Sequence, residues 1–203
     1  MVLKMNDTKT IMIVGVGGQG TLLASRILGH VLLKQGHDVK ISEVHGMSQR
    51  GGSVVTYVKY GEKVYSPISD RGSADIIITF EKLEGARWLP YLKKGGTLIM
   101  NTQQIDPMPV VVGAAKYPEN ICEKIKDNDV NIETIDALGL AQEVGSSKVA
   151  NVVLLGVAAK FMHIPSGDFE EAIDENVKPK FIELNKKAFY LGQNSRETLK
   201  IKV

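Results

Sequence analysis

The stretch Ile11–Gly20 constrains the fold of this chain more than any other part of it. It reads Ile-Met-Ile-Val-Gly-Val-Gly-Gly-Gln-Gly, and an apolar segment with helical spacing follows from Thr21 to Lys34. This order predicts a buried strand, a tight turn and a helix. The glycines have the G-x-G-x-x-G spacing, in which the backbone approaches a phosphate at a helix N-terminus. The same spacing also fits a turn that serves only close packing of the helix on the strand.

The composition limits the classes of protein to which the chain can belong. Its 203 residues are 43% hydrophobic and 24% charged, which suits a globular protein with a sizeable core. The 25 basic and 23 acidic residues give a net charge of +2, so no nucleic-acid partner is expected. Cys122 is the only cysteine, which excludes an internal disulfide and any cysteine-rich zinc or iron–sulfur site built from this chain alone.

The start and the hydropathy of the chain predict a cytoplasmic protein. Residues 1–8 are too short and too polar to form a signal peptide. No apolar run approaches the length that crosses a membrane. We therefore expect no membrane among its partners.

The second strand and the segment after it depart from a regular alternation of strands and helices. Gly36 ends the first helix, and Val39–Val44 alternates as a strand that should run parallel to the first. Where a second crossover helix would be expected, the sequence has the polar loop His45–Gly52. Two β-rich runs, Ser53–Tyr60 and Lys63–Ser66, then predict a hairpin, so the sheet is expected to be mixed.

The rest of the chain predicts alternating elements followed by helices. From Val149 an almost uncharged segment has helical spacing and should form a central, buried helix. Asp168 and Glu171 resemble a capping box for the next helix, and Gly192 is expected to end the last one. We expect one α/β domain over residues 1–203 with a helical C-terminal part over 149–192. Between these regions we predict strands over 76–80, 97–100, 107–112 and 132–135 and helices over 81–92, 119–126 and 140–144.

The loop Glu43–Gly52 carries the strongest candidates for a functional site. Glu43 ends the second strand roughly 20 residues beyond the glycine motif, where an acid contacts the ribose of a dinucleotide, although a solvated strand end has the same pattern. The other polar candidates in this loop are His45, Ser48, Gln49 and Arg50. A guanidinium there can hold a phosphate or a carboxylate. Two interpretations fit: the loop lines a ligand or catalytic cavity, or it forms only a subunit contact.

Two motifs taken together are far more specific than the glycine spacing alone. The segments GVGGQGT (15–21) and SEVHGMSQRGGSV (42–54) closely resemble those of the gamma-type subunits of 2-oxoacid:ferredoxin oxidoreductases. Within that family the similarity is greatest to the beta subunits of indolepyruvate:ferredoxin oxidoreductases. It runs over nearly the whole chain and includes Val64–Pro67, Ala74-Asp75, Glu81, Asn151, Leu155-Gly156 and the pattern Asn185-x-x-Ala188-Phe189-x-x-Gly192.

The resemblance implies a three-layer, Rossmann-like α/β unit with a mixed, mainly parallel sheet that does not use NAD as its redox cofactor. It implies a subunit, inactive alone, of an enzyme that oxidatively decarboxylates an aryl 2-oxoacid such as indolepyruvate. That enzyme forms an acyl-CoA and passes electrons to ferredoxin. Thiamine diphosphate and the iron–sulfur clusters would belong to a larger partner subunit, CoA would be a co-substrate, and this chain alone would hold no cofactor.

The resemblance assigns no catalytic residue and no metal ligand to this chain. The residues expected to line a shared CoA or substrate cavity, or the subunit interface, are Gly17, Gly18, Gln19, Gly20, Glu43, His45, Ser48, Gln49 and Arg50. Two alternatives remain beside this hypothesis. The first is a free-standing NAD- or FAD-binding oxidoreductase, which the glycine spacing and Glu43 favour. The second is a purely structural subunit that contributes no side chain to the chemistry.

Overall fold

Strands and helices alternate along most of the chain, which the computed structural model describes over residues 8–46, 51–126 and 130–195. The strands are β1 (Lys9–Val16), β2 (Asp38–His45), β3 (Ser53–Gly61), β4 (Ala74–Thr79), β5 (Leu92–Asn101) and β6 (Asn131–Ile135). The helices are α1 (Thr21–Lys34), α2 (Lys82–Trp88), α3 (Met108–Val111), α4 (Ile121–Lys126), α5 (Ala137–Glu143), α6 (Ala150–Met162), α7 (Ser166–Asn176) and α8 (Ile182–Asn194). Short 3-10 turns lie at Leu89–Tyr91, Ser147–Val149 and Pro179–Phe181.

The described strands form one six-stranded sheet in the order β2-β3-β1-β4-β5-β6. From β1 to β6 the neighbouring strands are parallel, whereas β3 is antiparallel to both β1 and β2. The predicted mixed, mainly parallel sheet is therefore confirmed. β2 has the predicted direction, parallel to β1, but β3 lies between the two, so they are not neighbours.

Helices cover both faces of the sheet because its inner strands are apolar on both sides. Along β1, Ile11 and Ile13 pack in one cluster with residues of α1 and of α5 to α8. Met12 and Val14, which point to the opposite face, pack in a second cluster with residues of α2 and α4. The three-layer α/β arrangement is confirmed.

The helix α6 is the central, buried helix that the sequence predicts, with nine of its 13 residues buried. Its backbone lies directly against that of α8. A Cβ atom added to Gly192 would lie 1.9 Å from the carbonyl oxygen of Val153, and one added to Gly156 would lie 2.0 Å from that of Phe189. Gly192 is thus an internal contact of α8, which continues to Asn194, and it does not end the helix as predicted.

The predicted hairpin over residues 53–66 is wrong. Residues 63–66 form no strand, and the hairpin partner of β3 is β2. The reason lies in the side chain of Asp38, whose carboxylate accepts the N–H of Val64 at 2.9 Å. That N–H is therefore not available for a strand ladder, and the segment crosses the end of the sheet as a loop.

The strand predicted over 107–112 is also wrong, because this segment forms the short helix α3. Pro107 precedes the helix and Pro109 lies in its first turn, where proline has the required φ and where its missing N–H is not needed. The N–H of Val111 then donates to the carbonyl of Pro107 at 3.1 Å. Neighbouring prolines therefore override the β propensity of three consecutive valines.

The capping box predicted at Asp168 and Glu171 is a third error. Asp168 is an inner residue of α7, whose N-cap is Pro165 and which has no side-chain cap. Both carboxylates instead bind Lys34 at the end of α1, Asp168 at a distance of 2.9 Å. Asp168 and Glu171 thus form ion pairs between α7 and α1. The other predicted strands and helices are present, with bounds displaced by a few residues.

The contact between α6 and α8 predicts a large cost for Gly192→Ala. The added methyl group would overlap the carbonyl of Val153, so the helices must separate, and we expect the free energy of unfolding to fall by about 2 kcal/mol or more. Gly167→Ala is the matched control, since no atom lies within 4 Å of its added Cβ. Denaturant unfolding of both variants measures the difference. Equal stabilities of the two variants would contradict the contact.

Candidate functional site

A cleft of about 410 Å³ opens at the carboxyl ends of the parallel strands. It lies where β1 leads to α1 on one face of the sheet and β4 leads to α2 on the other. Open α/β sheets place their ligand sites at such switch points. The cleft is lined by the glycine turn, by residues that follow β4 and β5, and by the starts of α5 and α6, including Gly18, Gln19, Gly20, Asn101, Gln103, Lys148 and Asn151.

The side chain of Gln19 ties the glycine turn to the neighbouring strands. Its Oε1 atom accepts the N–H of Val16 at 2.8 Å. Its Nε2 atom donates to the carbonyl of Phe80, after β4, at 2.9 Å and to Oε1 of Gln103, after β5, at 3.1 Å. Both ends of this amide are therefore committed to the protein itself.

Asn101 continues this network of amides across the floor of the cleft. Its Nδ2 atom donates to the same carbonyl of Phe80 at 3.1 Å, and its Oδ1 atom accepts the N–H of Ala137, after β6, at 3.1 Å. Asn101 is fully buried. The ends of β1, β4, β5 and β6 are thus joined by uncharged amide side chains, and the floor of the cleft has no formal charge.

The helix α1 begins at the cleft with an open N-terminus. Its N-cap, Gly20, has a φ of 85°, which favours glycine, and makes no side-chain cap hydrogen bond. Within α1, all of which is described, the first turn carries no acidic residue. Asn151 at the start of α6 donates from Nδ2 to the carbonyl of Gly20 at 3.1 Å and holds the turn in place. The turn can therefore receive an anionic group, which the helix dipole favours.

Gly17 connects the glycine turn to the candidate loop that follows β2. Its N–H donates to the carbonyl of Gly52 at 2.9 Å, just before β3 begins. The end of the loop, at Gly52, therefore lies next to the glycine turn. Ser48, Gln49 and Arg50 lie outside the described residues, so their roles stay predictions.

Glu43 does not occupy the position of a ribose-binding acid. It lies on β2, which β3 separates from β1, and its Oε2 atom accepts hydrogen bonds from Thr56 at 3.2 Å and from Thr21 at 3.5 Å. His45 ends the same strand and is exposed to solvent, with Nδ1 3.3 Å from the carbonyl oxygen of Gly46. Neither side chain lines the cleft.

Glu81 and Glu84 are buried acids whose roles the sequence analysis does not identify. Glu81 caps α2 by accepting the N–H of Glu84 at 2.9 Å, and it also accepts a hydrogen bond from the hydroxyl of Tyr117. Burial, together with this hydrogen bond, raises the pKa of Tyr117. Glu84 accepts hydrogen bonds from Ser53 and Arg87, so it connects α2 to the start of β3. The only sequence signal for the N-cap of α2 is the position of Glu81, an acid directly after the predicted strand over 76–80.

The described residues contain no group of three or more His, Cys, Asp or Glu side chains that could hold a metal ion. Cys122 is free and partly buried on α4, and burial raises the pKa of its thiol. None of the described helices is long and apolar enough to cross a membrane.

Comparison with known proteins gives a family and close relatives. The profile of the pyruvate ferredoxin/flavodoxin oxidoreductase family matches residues 10–195. Indolepyruvate oxidoreductase subunit IorB of Thermococcus kodakarensis is 43% identical over 187 residues, which cover 90% of this chain and 93% of that protein. The similarity thus extends over nearly the full length of both chains.

Solved structures have the same fold. The gamma subunit of a keto/oxoacid ferredoxin oxidoreductase from Geobacter sulfurreducens matches with a TM-score of 0.68 and 24% identity, over 91% of this chain and 95% of that one. A 2-oxoglutarate:ferredoxin oxidoreductase from Magnetococcus marinus matches with a TM-score of 0.67 and 17% identity, over 92% of this chain but 30% of that one. In the second structure the fold is therefore part of a much longer chain.

The amide network predicts that Gln19→Met destabilises the protein. Methionine has a similar length but cannot satisfy the N–H of Val16 or the carbonyl of Phe80, so we expect the free energy of unfolding to fall by about 1–3 kcal/mol. Gln104→Met is the control, because Gln104 is exposed. Denaturant titration of both variants tests this, and equal free energies of unfolding for Gln19→Met and Gln104→Met would contradict the proposed role of the network.

Proposed function

The chain belongs to the pyruvate ferredoxin/flavodoxin oxidoreductase family, and we propose that it is the non-cluster-bearing subunit of an indolepyruvate (aryl 2-oxoacid):ferredoxin oxidoreductase. The observation that carries this proposal is the 43% identity to an indolepyruvate oxidoreductase subunit over 90% of this chain. The complex decarboxylates the 2-oxoacid, transfers the acyl group to CoA and passes two electrons to ferredoxin. We place this complex in the cytoplasm.

The larger partner subunit carries thiamine diphosphate and the iron–sulfur clusters in this proposal. Thiamine diphosphate stabilises the carbanion that decarboxylation forms. With Cys122 as its only cysteine, this chain cannot supply the four thiolates of a typical cluster. In this proposal the chain therefore binds and orients substrate groups, and it excludes water from them, at the carboxyl ends of its parallel strands.

The glycine turn and the loop Glu43–Gly52 face the active-site region of the partner or the channel for CoA in this proposal. The N-terminus of α1 presents backbone N–H groups to a phosphate or a carboxylate, and its own first turn carries no acid. The one carboxylate described beside it is that of Glu43, which accepts a hydrogen bond from the hydroxyl of Thr21. Arg50 adds a guanidinium to the bound phosphate or carboxylate. Gln19 braces the turn, since its amide is already hydrogen-bonded on both sides. Ser48 and Gln49 line or brace the shared cavity, whereas His45, which is exposed outside the described cleft, faces the partner subunit.

The dinucleotide alternative has less support from the geometry. In a dinucleotide-binding fold the ribose acid ends the strand next to β1, whereas here β3 occupies that place. Two threonine hydroxyls also donate to one oxygen of the Glu43 carboxylate, Oε2. The structural-subunit alternative, in which this chain contributes no side chain to the chemistry, is tested by the Arg50→Ala experiment below.

Purification of the tagged chain from its native host tests the proposal. We expect a large thiamine- and iron-containing chain to co-purify, and the complex to reduce ferredoxin only when indolepyruvate and CoA are both present. The isolated chain should show no such activity. Recovery of the chain alone with a bound dinucleotide would exclude the proposal in favour of a free-standing oxidoreductase.

Arg50→Ala in the reconstituted complex tests the anion-binding role. Loss of a charge-assisted contact should raise KM for CoA or for the oxoacid by roughly tenfold or more. Arg71→Ala, an exposed arginine near the opposite edge of the sheet, is the control. If Arg50→Ala, like the control, leaves turnover and both KM values unchanged, Arg50 does not bind the substrate. If Arg50→Ala instead lowers the amount of complex that assembles but leaves the turnover of each assembled complex unchanged, the structural alternative is favoured.

A further inference from the structure

The segment between β5 and α4 exposes an unusual amount of apolar surface. Residues 107–115 read Pro-Met-Pro-Val-Val-Val-Gly-Ala-Ala, with no polar side chain, and none of these nine residues is buried. Met108, Val111 and Val112 are 69%, 65% and 67% exposed. A contiguous exposed apolar segment of this kind marks a surface that another molecule covers. We call residues 107–115 the apolar loop.

The apolar loop has a defined shape of its own. The N–H of Val112 donates to the carbonyl of Met108 at 3.0 Å, and the N–H of Ala115 donates to that of Pro109 at 2.9 Å. Pro107 and Pro109 fix two φ angles within the same turn. Because the backbone is already ordered, binding through this loop costs little conformational entropy.

Both ends of the apolar loop are tied to one buried carboxylate. Glu81 accepts the N–H of Ile105, before the loop, at 3.2 Å, and it accepts the hydroxyl of Tyr117, after the loop. The oxygen of Tyr117 in turn accepts the N–H of Leu83 on α2 at 3.2 Å. Hydrogen bonds to Glu81 at Ile105 and Tyr117 therefore fix the residues on either side of the apolar loop, while the loop itself stays exposed.

We propose that the apolar loop is a docking element that inserts into an apolar groove on the larger, thiamine- and cluster-bearing subunit. This inference rests on the proposed function. The loop follows β5 and so leaves the sheet at the same edge as the cleft, which means that one partner can cover both. In the Magnetococcus marinus enzyme the matching fold is 30% of its chain, so the remainder is joined to it covalently. The relative from Thermococcus kodakarensis is named a subunit and is matched over 93% of its length, so a larger partner of such a subunit is held by non-covalent contacts.

A second copy of this chain is a poorer occupant. Stable interfaces take about 800 Å² from each partner, so contacts near the loop must contribute as well. The neighbouring surface is the edge that carries the cleft. A dimer across it would cover the cleft with another copy of itself and separate it from the cofactor-bearing subunit. The absence of charge on the loop also gives no basis for a nucleic-acid partner.

Val111→Asp tests the docking element in the two-subunit complex. A buried, unpaired carboxylate should weaken binding, so we expect the Kd for the larger subunit to rise at least tenfold. The fold of the isolated chain should be unchanged by circular dichroism, because Val111 is exposed. Ile68→Asp is the matched control, since Ile68 is also 65% exposed but lies in the connection between β3 and β4, at the opposite edge of the sheet. It should bind as the wild type does, and Val112→Asp should reproduce the loss.

The outcomes separate this inference from the proposed function. If the wild-type chain does not bind the larger subunit, the proposed function fails. If it binds and both loop variants bind equally well, the docking element alone is wrong. If the variants lose self-association of the isolated chain, or binding to phosphatidylcholine vesicles, with an unchanged Kd for the larger subunit, the loop has another occupant and the inference is likewise overturned.

Discussion

The hydrogen bonds of Gln19 hold together the edge of the sheet on which the candidate site depends. One amide group satisfies the N–H of Val16 at the end of β1 and the carbonyl of Phe80 after β4. Asn101 satisfies the same carbonyl from β5 and holds the start of α5. Parallel strands end with unpaired backbone groups, and burying them unsatisfied would be costly. Amides solve this problem without introducing a charge, so the glycine turn keeps its place beside an uncharged floor.

The position of β3 explains why the glycine fingerprint is a poor guide to the ligand. The local sequence from Ile11 to Lys34 forms the strand, turn and helix of a dinucleotide-binding fold. The insertion of an antiparallel strand beside β1 then moves Glu43 one strand away from that turn. The glycine turn, which is local in sequence, thus keeps its geometry. The strand order places Glu43, the acid that would complete the ribose site, on β2 and not on the strand next to β1.

The sequence predicts those parts of the fold that depend on local pattern. The apolar run of β4 and the buried helix α6 follow from periodicity. The sheet is mixed as expected, but through the pairing of β3 with β1 and β2 and not through the predicted hairpin. It does not predict the contacts that arise only between distant elements. The carboxylate of Asp38 takes the N–H of Val64, and Asp168 binds Lys34, so neither the hairpin nor the cap forms. The three valines of Pro107–Val112 favour a strand, whereas the two prolines are the local signal that the segment turns instead.

Glu81, the N-cap of α2, and Glu84, within that helix, connect the base of the apolar loop to the start of β3. Glu81 holds both ends of the apolar loop and caps α2, while Glu84, three residues later, binds Ser53. Ser53 follows Gly52, whose carbonyl binds the glycine turn. Hydrogen bonds therefore connect the base of the apolar loop, through Glu81 and Glu84, to the strand that follows Gly52 and so to the glycine turn. A partner bound at Val111 would contact the same network of hydrogen bonds that positions the turn.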